Sequence, residues 1–232
     1  MLARVPSPLT PPLMSARTAL VAGATGLVGN HLVRRLLQAE TWGHVVTVGR
    51  RPLDLTHPKL EQRTIDFDRL PHVDDFPTSH SAFCCLGTTI NEAGSQEAFW
   101  RVDHDYVVAF ARAAVTHGAG QFLVVSAMGA DAGSRIFYNR TKGAMEEAVA
   151  RLPFQAVQIL RPALLLGDRD ENRPGERLSQ RLMQPVASLF AGPLRKYRPI
   201  DADAVAAALV AAAQIRALGV HIYESDELQR AA

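Results

Sequence analysis

Tyr138 and Lys142 are four residues apart, one turn of a helix, so in a helical segment both side chains leave the same face. Four Tyr and three Lys (Lys59, Lys142 and Lys196) in 232 residues would give a pair at this helical spacing by chance roughly 0.05 times. An ammonium beside a phenol favours the tyrosinate, so the spacing predicts a Tyr138 pKa pulled below its unperturbed value of about 10. A tyrosine so placed exchanges a proton with a carbonyl or alcohol oxygen. Ser126, twelve residues earlier, closes an apolar run. Its hydroxyl is a candidate hydrogen-bond partner for the same substrate oxygen, although a serine at a strand end is a common feature.

A second chemistry lies nearer the N-terminus. Gly23-Ala24-Thr25-Gly26-Leu27-Val28-Gly29 follows the apolar run 18–22 and opens a stretch with helical periodicity. In that context three glycines serve a tight turn, a close approach of backbone to a pyrophosphate, and close packing of helix on strand. The helix N-terminus adds free N–H groups and a positive dipole end. A nicotinamide dinucleotide held there would carry the hydride while Tyr138 handles the proton. The end of the next strand selects the dinucleotide, because NAD sites place an acidic residue there for the ribose hydroxyls. Between Thr41 and Leu53 there is none, and Arg50 and Arg51 stand in its place. Paired guanidiniums suit a 2′-phosphate that a carboxylate would repel, so NADP(H) is the expected cofactor.

These groups need elements to hold them. Apolar runs at 18–22, 44–48, 60–65, 81–86, 121–125 and 154–160 read as buried strands, and 27–38, 96–117 and 135–151 as helices. On the long helix the apolar stripe is Phe99, Val102, Tyr106, Val107, Phe110 and Ala114. The alternation predicts an α/β fold, a doubly wound, Rossmann-like parallel sheet covered on both faces. Beyond Gly167 the pattern loosens into a charged loop (167–177) and a helix near 178–190. A short strand at 197–200, an Ala-rich helix at 202–216 and a last strand near 221–224 close a small substrate-side region. Residues 17–232 read as a single domain. The tail 1–16, with Pro6, Pro8, Pro11 and Pro12, reads as disordered, and Met14 is a candidate start.

Composition narrows the classes. A chain 47% hydrophobic and 21% charged is ordinary for a globular protein. A net charge of +2 without a basic block argues against nucleic acid as partner. The longest apolar run, 204–213, falls short of the roughly 20 residues that span a bilayer, and the N-terminal prolines interrupt any signal-peptide core. Cys84 and Cys85 are the only cysteines, and neighbours on a strand face opposite ways. No spaced Cys/His ligand set accompanies them. The expectation is a reduced, metal-free, cytoplasmic chain with both thiols as small core residues. His104, between Asp103 and Asp105, reads as part of a solvated helix face, and the charged loop as a lid over the cofactor.

The segments GATGLVG (23–29), VGRRP (48–52), CLGTT (85–89), RVDHDYV (101–107), VSAMGA (125–130), YNRTKGAMEE (138–147) and RPALLLGDRDENRPGE (161–176) cover nearly all of the chain past residue 17. Together they resemble the short-chain dehydrogenases/reductases of the atypical or extended-like group, and more narrowly the Tat-interacting-protein-like oxidoreductases. The resemblance implies cofactor contacts from Gly23, Ala24, Thr25, Gly26, Leu27 and Val28, from Arg50 and Arg51, and from Leu86, Gly87 and Thr88. It adds Tyr138, Lys142, Leu165 and Arg173, and it makes Tyr138 the proton acceptor. One departure stands out: the family commonly has Ser-Ser where this chain has Ser126-Ala127. The family's catalytic Asn has no identifiable counterpart on the long helix.

The reading is an NADPH-dependent reductase of an unidentified small carbonyl substrate, with Tyr138 as proton donor, Lys142 tuning it and Ser126 assisting. The first alternative is an NADPH-binding sensor that acts through a protein partner, which the Ser126-Ala127 departure keeps open. The second is a nucleotide-sugar epimerase-like enzyme, which shares the Tyr and Lys but needs a larger substrate region than the residues left after Gly167.

Overall fold

Ala19, Leu20, Val21 and Ala22 are fully excluded from solvent, which requires packing on both faces of the strand they form. The computed structural model describes residues 17–72, 75–166, 197–215 and 217–231. The proline-rich tail, the charged loop with Arg173 and the helix expected near 178–190 lie outside the described residues.

In chain order the strands are β1 (Arg17–Ala22), β2 (Trp42–Gly49), β3 (Leu60–Thr64), β4 (Ser81–Cys84), β5 (Gln121–Val125), β6 (Ala156–Arg161), β7 (Leu165–Leu166), β8 (Ile200–Asp201) and β9 (Gly219–Glu224). The helices are α1 (Leu27–Gln38), α2 (Ile90–Ala93), α3 (Gln96–Trp100), α4 (Tyr106–Thr116), α5 (Phe137–Ala150), α6 (Ala202–Ile215) and α7 (Ser225–Ala231). Seven strands form one sheet of order β3-β2-β1-β4-β5-β6-β9, with every pairing parallel.

Each face carries its own core. Leu32 and Leu36 of α1 with Val205 and Leu209 of α6 cover one side. Val107 and Phe110 of α4 with Met145 and Val149 of α5 cover the other. The doubly wound, Rossmann-like single domain expected from the sequence is what forms. Cys84 lies in the second core and Cys85 packs against the first, as alternation along β4 requires.

The long helix of the sequence reading is interrupted. Residues Arg101–Asp105 form a π-helical turn between α3 and α4, and such turns widen a helix locally by one residue. The short α2 ahead of it was not anticipated. Its start carries a capping box, with Thr89 and Glu92 satisfying each other's backbone N–H groups, and Gly94 in the left-handed region ends it. Helix α7 was also unforeseen. The strand expected at 197–200 shrinks to β8, whose partner is β7 in a separate two-stranded sheet.

β1 is flanked by β2 and β4, so the chain winds away from it in both directions. The crevice at the carboxyl ends of β1 and β4 is where doubly wound sheets bind ligands.

Candidate active site

The turn after β1 is built for close approach. Gly23 has φ +79°, and a Cβ there would lie 2.5 Å from the carbonyl carbon and oxygen of Cys85. A Cβ on Gly29 would meet the Gly23 oxygen at 2.1 Å, so the first turn of α1 rests directly on the loop. The Gly26 N–H closes the turn by donating to the Gly23 oxygen at 3.0 Å. No side chain caps α1, and its first turn has no acidic residue, so its amides and positive dipole end are left for an anion.

A cleft of about 540 Å³ opens above this turn. Its walls bring together Gly23, Ala24, Thr25 and Gly26 after β1, Arg50 and Arg51 after β2, and Leu86, Gly87 and Thr88 after β4. Nine of the residues expected to hold a cofactor thus meet in one cavity. Gln62, Phe67 and Glu92, not singled out in the sequence, line it as well, as does Tyr106, expected only as part of an apolar stripe. Arg50 and Arg51 are exposed, and neither guanidinium has a partner among the described residues. Arg63, also in the wall, is by contrast paired with Glu61 at 2.5 Å.

Several expected residues stand elsewhere. Leu27 and Val28 begin α1, with Val28 buried in the first core. Leu165 belongs to β7 and packs against that core rather than lining the cleft. Arg173 lies outside the described residues.

Lys142 is buried behind the cleft wall: a Cβ on Gly87 would lie 3.8 Å from its Nζ. The partner of Lys142 is Asp103, in the π-helical turn, with Oδ1 2.6 Å from Nζ. The other carboxylate oxygen accepts the Thr88 N–H at 2.9 Å. Asp103 therefore ties the lysine to the loop that lines the cleft. Asp103, expected on a solvated face, is instead 1% exposed. The signal was present, because Asp103 falls four residues after Phe99 and four before Val107, on the apolar stripe. A carboxylate there needs a buried cation.

Tyr138 is half-buried one turn from Lys142, its ring 5.5 Å from that of Phe99. The expectation of a lowered phenol pKa is also overturned. Burial raises it, Lys142 pulls it down, and Asp103 pushes it up again, leaving it above the usual tyrosine value. For Lys142, burial works against the charge most strongly, but Asp103 together with Tyr138 and Cys84 more than compensates, and the ammonium is held above the usual lysine value.

Ser126 is buried at the end of β5, and its hydroxyl donates to Glu146 Oε1 at 2.5 Å. The same carboxylate takes two hydrogen bonds from Arg161, from Nε to Oε1 at 3.0 Å and from Nη2 to Oε2 at 2.5 Å. The Ser126 proton is thus committed to a neighbouring ionic network, and no hydrogen bond joins Ser126 to Tyr138 among the described residues.

Comparison with known proteins places the chain among dinucleotide-binding folds. The model of a family described as NAD(P)H-binding matches residues 23–216. Protein HTATIP2 of Rattus norvegicus is 36% identical over 182 residues, covering 77% of this chain and 75% of its own. The mitochondrial protein fmp52 of Aspergillus niger is 32% identical over 219 residues, 91% of this chain and 92% of its own. A solved structure of MoeE5 in complex with UDP-glucose and NAD superposes with a TM-score of 0.67 at 21% identity, over 91% of this chain and 79% of that one. That likeness concerns the fold. Fungal relatives at 32–36% identity are named mitochondrial, which overturns the expectation of a cytoplasmic chain drawn from cysteine usage. Reduced thiols reflect redox conditions, and those do not single out one compartment. From its glycine turn to α6, this chain belongs to the NAD(P)H-binding family and is a homologue of HTATIP2.

Proposed function

We propose that the chain is an NADPH-dependent reductase of a small carbonyl compound, with Tyr138 as the proton donor. The observation that carries this reading is the bridge made by Asp103, one oxygen on Lys142 and the other on the Thr88 N–H of the cleft wall. It sets a tyrosine–lysine pair beside the loop expected to contact the cofactor.

The residues fit a dinucleotide. The Gly23 turn leaves no room for a side chain, the N-terminus of α1 is uncapped, and two guanidiniums without a partner among the described residues line the same cleft. A bound reduced nicotinamide supplies the hydride. Tyr138, held as a phenol by burial and by Asp103, delivers the proton to the substrate oxygen. Lys142, kept cationic by Asp103, favours the tyrosinate left behind, which eases that transfer. Arg50 and Arg51 support NADPH over NADH, since neither spends its charge on a carboxylate among the described residues. The names of the fungal relatives support a mitochondrial location.

The test is a screen of aldehydes, ketones and quinones for NADPH oxidation by the purified chain, repeated with Tyr138→Phe. Turnover should fall by about 10² in the variant. A substrate reduced equally well by both would refute the assignment.

One observation favours a second reading, in which NADPH is sensed rather than consumed. The serine expected to assist the tyrosine gives its proton to Glu146, and Ala127 supplies no hydroxyl beside it. Tight NADPH binding with no turnover across the screen would select this reading.

A further inference from the structure

The connection between β2 and β3 carries Arg50 and Arg51 and has no regular secondary structure of its own. Such a loop has many backbone polar groups to satisfy, and two long side chains on it are costly to order around a ligand. The structure supplies a device against this. Gln62, on β3 opposite Thr47 of β2, turns its side-chain amide onto the loop. Its Oε1 accepts the Leu53 N–H at 2.7 Å, and its Nε2 donates to the Leu53 oxygen at 3.2 Å and the Leu55 oxygen at 3.0 Å.

One amide group thus engages both backbone groups of Leu53, as a neighbouring strand would, and a third group two residues on. Leu53 and Leu55 in turn pack their side chains against the core beneath α1 and α6. The loop is pinned from both sides immediately after Arg50-Arg51-Pro52. Both arginines, Leu53 and Gln62 line the same cleft.

We infer that Gln62 is a specificity-determining positioning residue: it pre-orders the loop that aims Arg50 and Arg51 at a phosphomonoester on the ligand's adenosine ribose. Gln62 acts through the loop rather than on the phosphate. The inference rests on the NADPH reading above and adds to it a reason for the discrimination that lies outside the arginines. Pre-organisation affects the ligand that uses the two guanidiniums and leaves one without the phosphate almost untouched.

The test is a titration of NADPH and NADH, by nicotinamide fluorescence, against the unmutated chain, Gln62→Leu and Gln62→Glu. The glutamate keeps the acceptor for the Leu53 N–H but sets oxygen against the Leu53 and Leu55 carbonyls, so both variants release the loop. Each should weaken NADPH binding about tenfold and leave NADH binding within about twofold. Hydrogen exchange on the unmutated chain gives a measurement that needs no variant, since the Leu53 amide should be protected. An unmutated chain that binds both dinucleotides equally would overturn the NADPH reading and this inference with it. A preference that persists in both variants would overturn this inference alone. So would equal loss of both ligands, which marks a merely structural role, or a Leu53 amide that exchanges at free-loop rates.

Discussion

Lys142 and Asp103 face each other at 2.6 Å with 5% and 1% of their side chains exposed. Two residues far apart in the chain form an ion pair closed off from water behind the cofactor cleft. Four residues further along α5, Glu146 is buried as well and meets Arg161. The inner face of α5 thus carries a cation and an anion in successive turns, each neutralised by a different neighbour.

Removing one partner of such a pair leaves an uncompensated buried charge, which destabilises by about 3–5 kcal/mol. Asp103→Ala should therefore lower the unfolding free energy in a urea titration by about that much. Asp103→Leu combined with Lys142→Met should recover most of the loss. Equal stability of Asp103→Ala and the unmutated chain would mean that the pair is hydrated in solution.

Tyr138 should titrate later than an ordinary tyrosine, because burial and Asp103 outweigh Lys142. The measurement is the tyrosinate absorbance near neutral to alkaline pH for the chain and for Tyr138→Phe, whose difference isolates this phenol. A titration below the usual tyrosine range would show that Lys142 outweighs burial and Asp103.

Arg50→Ala with Arg51→Ala should erase the preference for NADPH while leaving NADH affinity nearly unchanged. Calorimetry with each dinucleotide checks this. A double variant that still prefers NADPH would move the 2′-phosphate contact elsewhere.

Ser126→Ala removes a hydrogen bond to the Glu146 carboxylate, which Arg161 still compensates. It should cost about 1.5–3 kcal/mol of stability, the range for hydrogen bonds to charged groups. Turnover of any substrate found should change little. A fall of about 10² in turnover with stability intact would restore Ser126 to a catalytic role.

Burial pushes the Cys84 thiol up from 9.0 to about 12. Folded Cys84 therefore holds its proton when the unfolded thiol has lost it, and this contribution to stability fades as pH rises from about 9 to about 12. Cys84→Ala should flatten the alkaline fall in stability across that window. Thiol reagents should not label Cys84 in the native chain at neutral pH, and its rapid native labelling would contradict the burial.

Strand and helix alternation, the glycine turn and the Tyr138–Lys142 spacing were legible from the residues, because each rests on local periodicity or on a backbone need met within a few positions. The arginines after β2 were legible for the same reason: the strand ends where its apolar run ends. What escaped was set by partners distant in the chain. Asp103 looked solvated because His104 and Asp105 beside it are polar, and only packing of the π-helical turn against α5 buried it on Lys142. Tyr138 looked like a tyrosinate because the sequence shows its lysine but not the desolvation or the second charge. Ser126 looked free because its acceptor Glu146 comes from α5, where Arg161 of β6 holds it. Gln62 drew no notice in the sequence, since a glutamine amide has no preferred partner until the fold brings a loop across it. Local sequence determined which elements form and which groups could do chemistry. Tertiary structure decided their charge and availability, because desolvation and pairing belong to the neighbours a residue acquires in space.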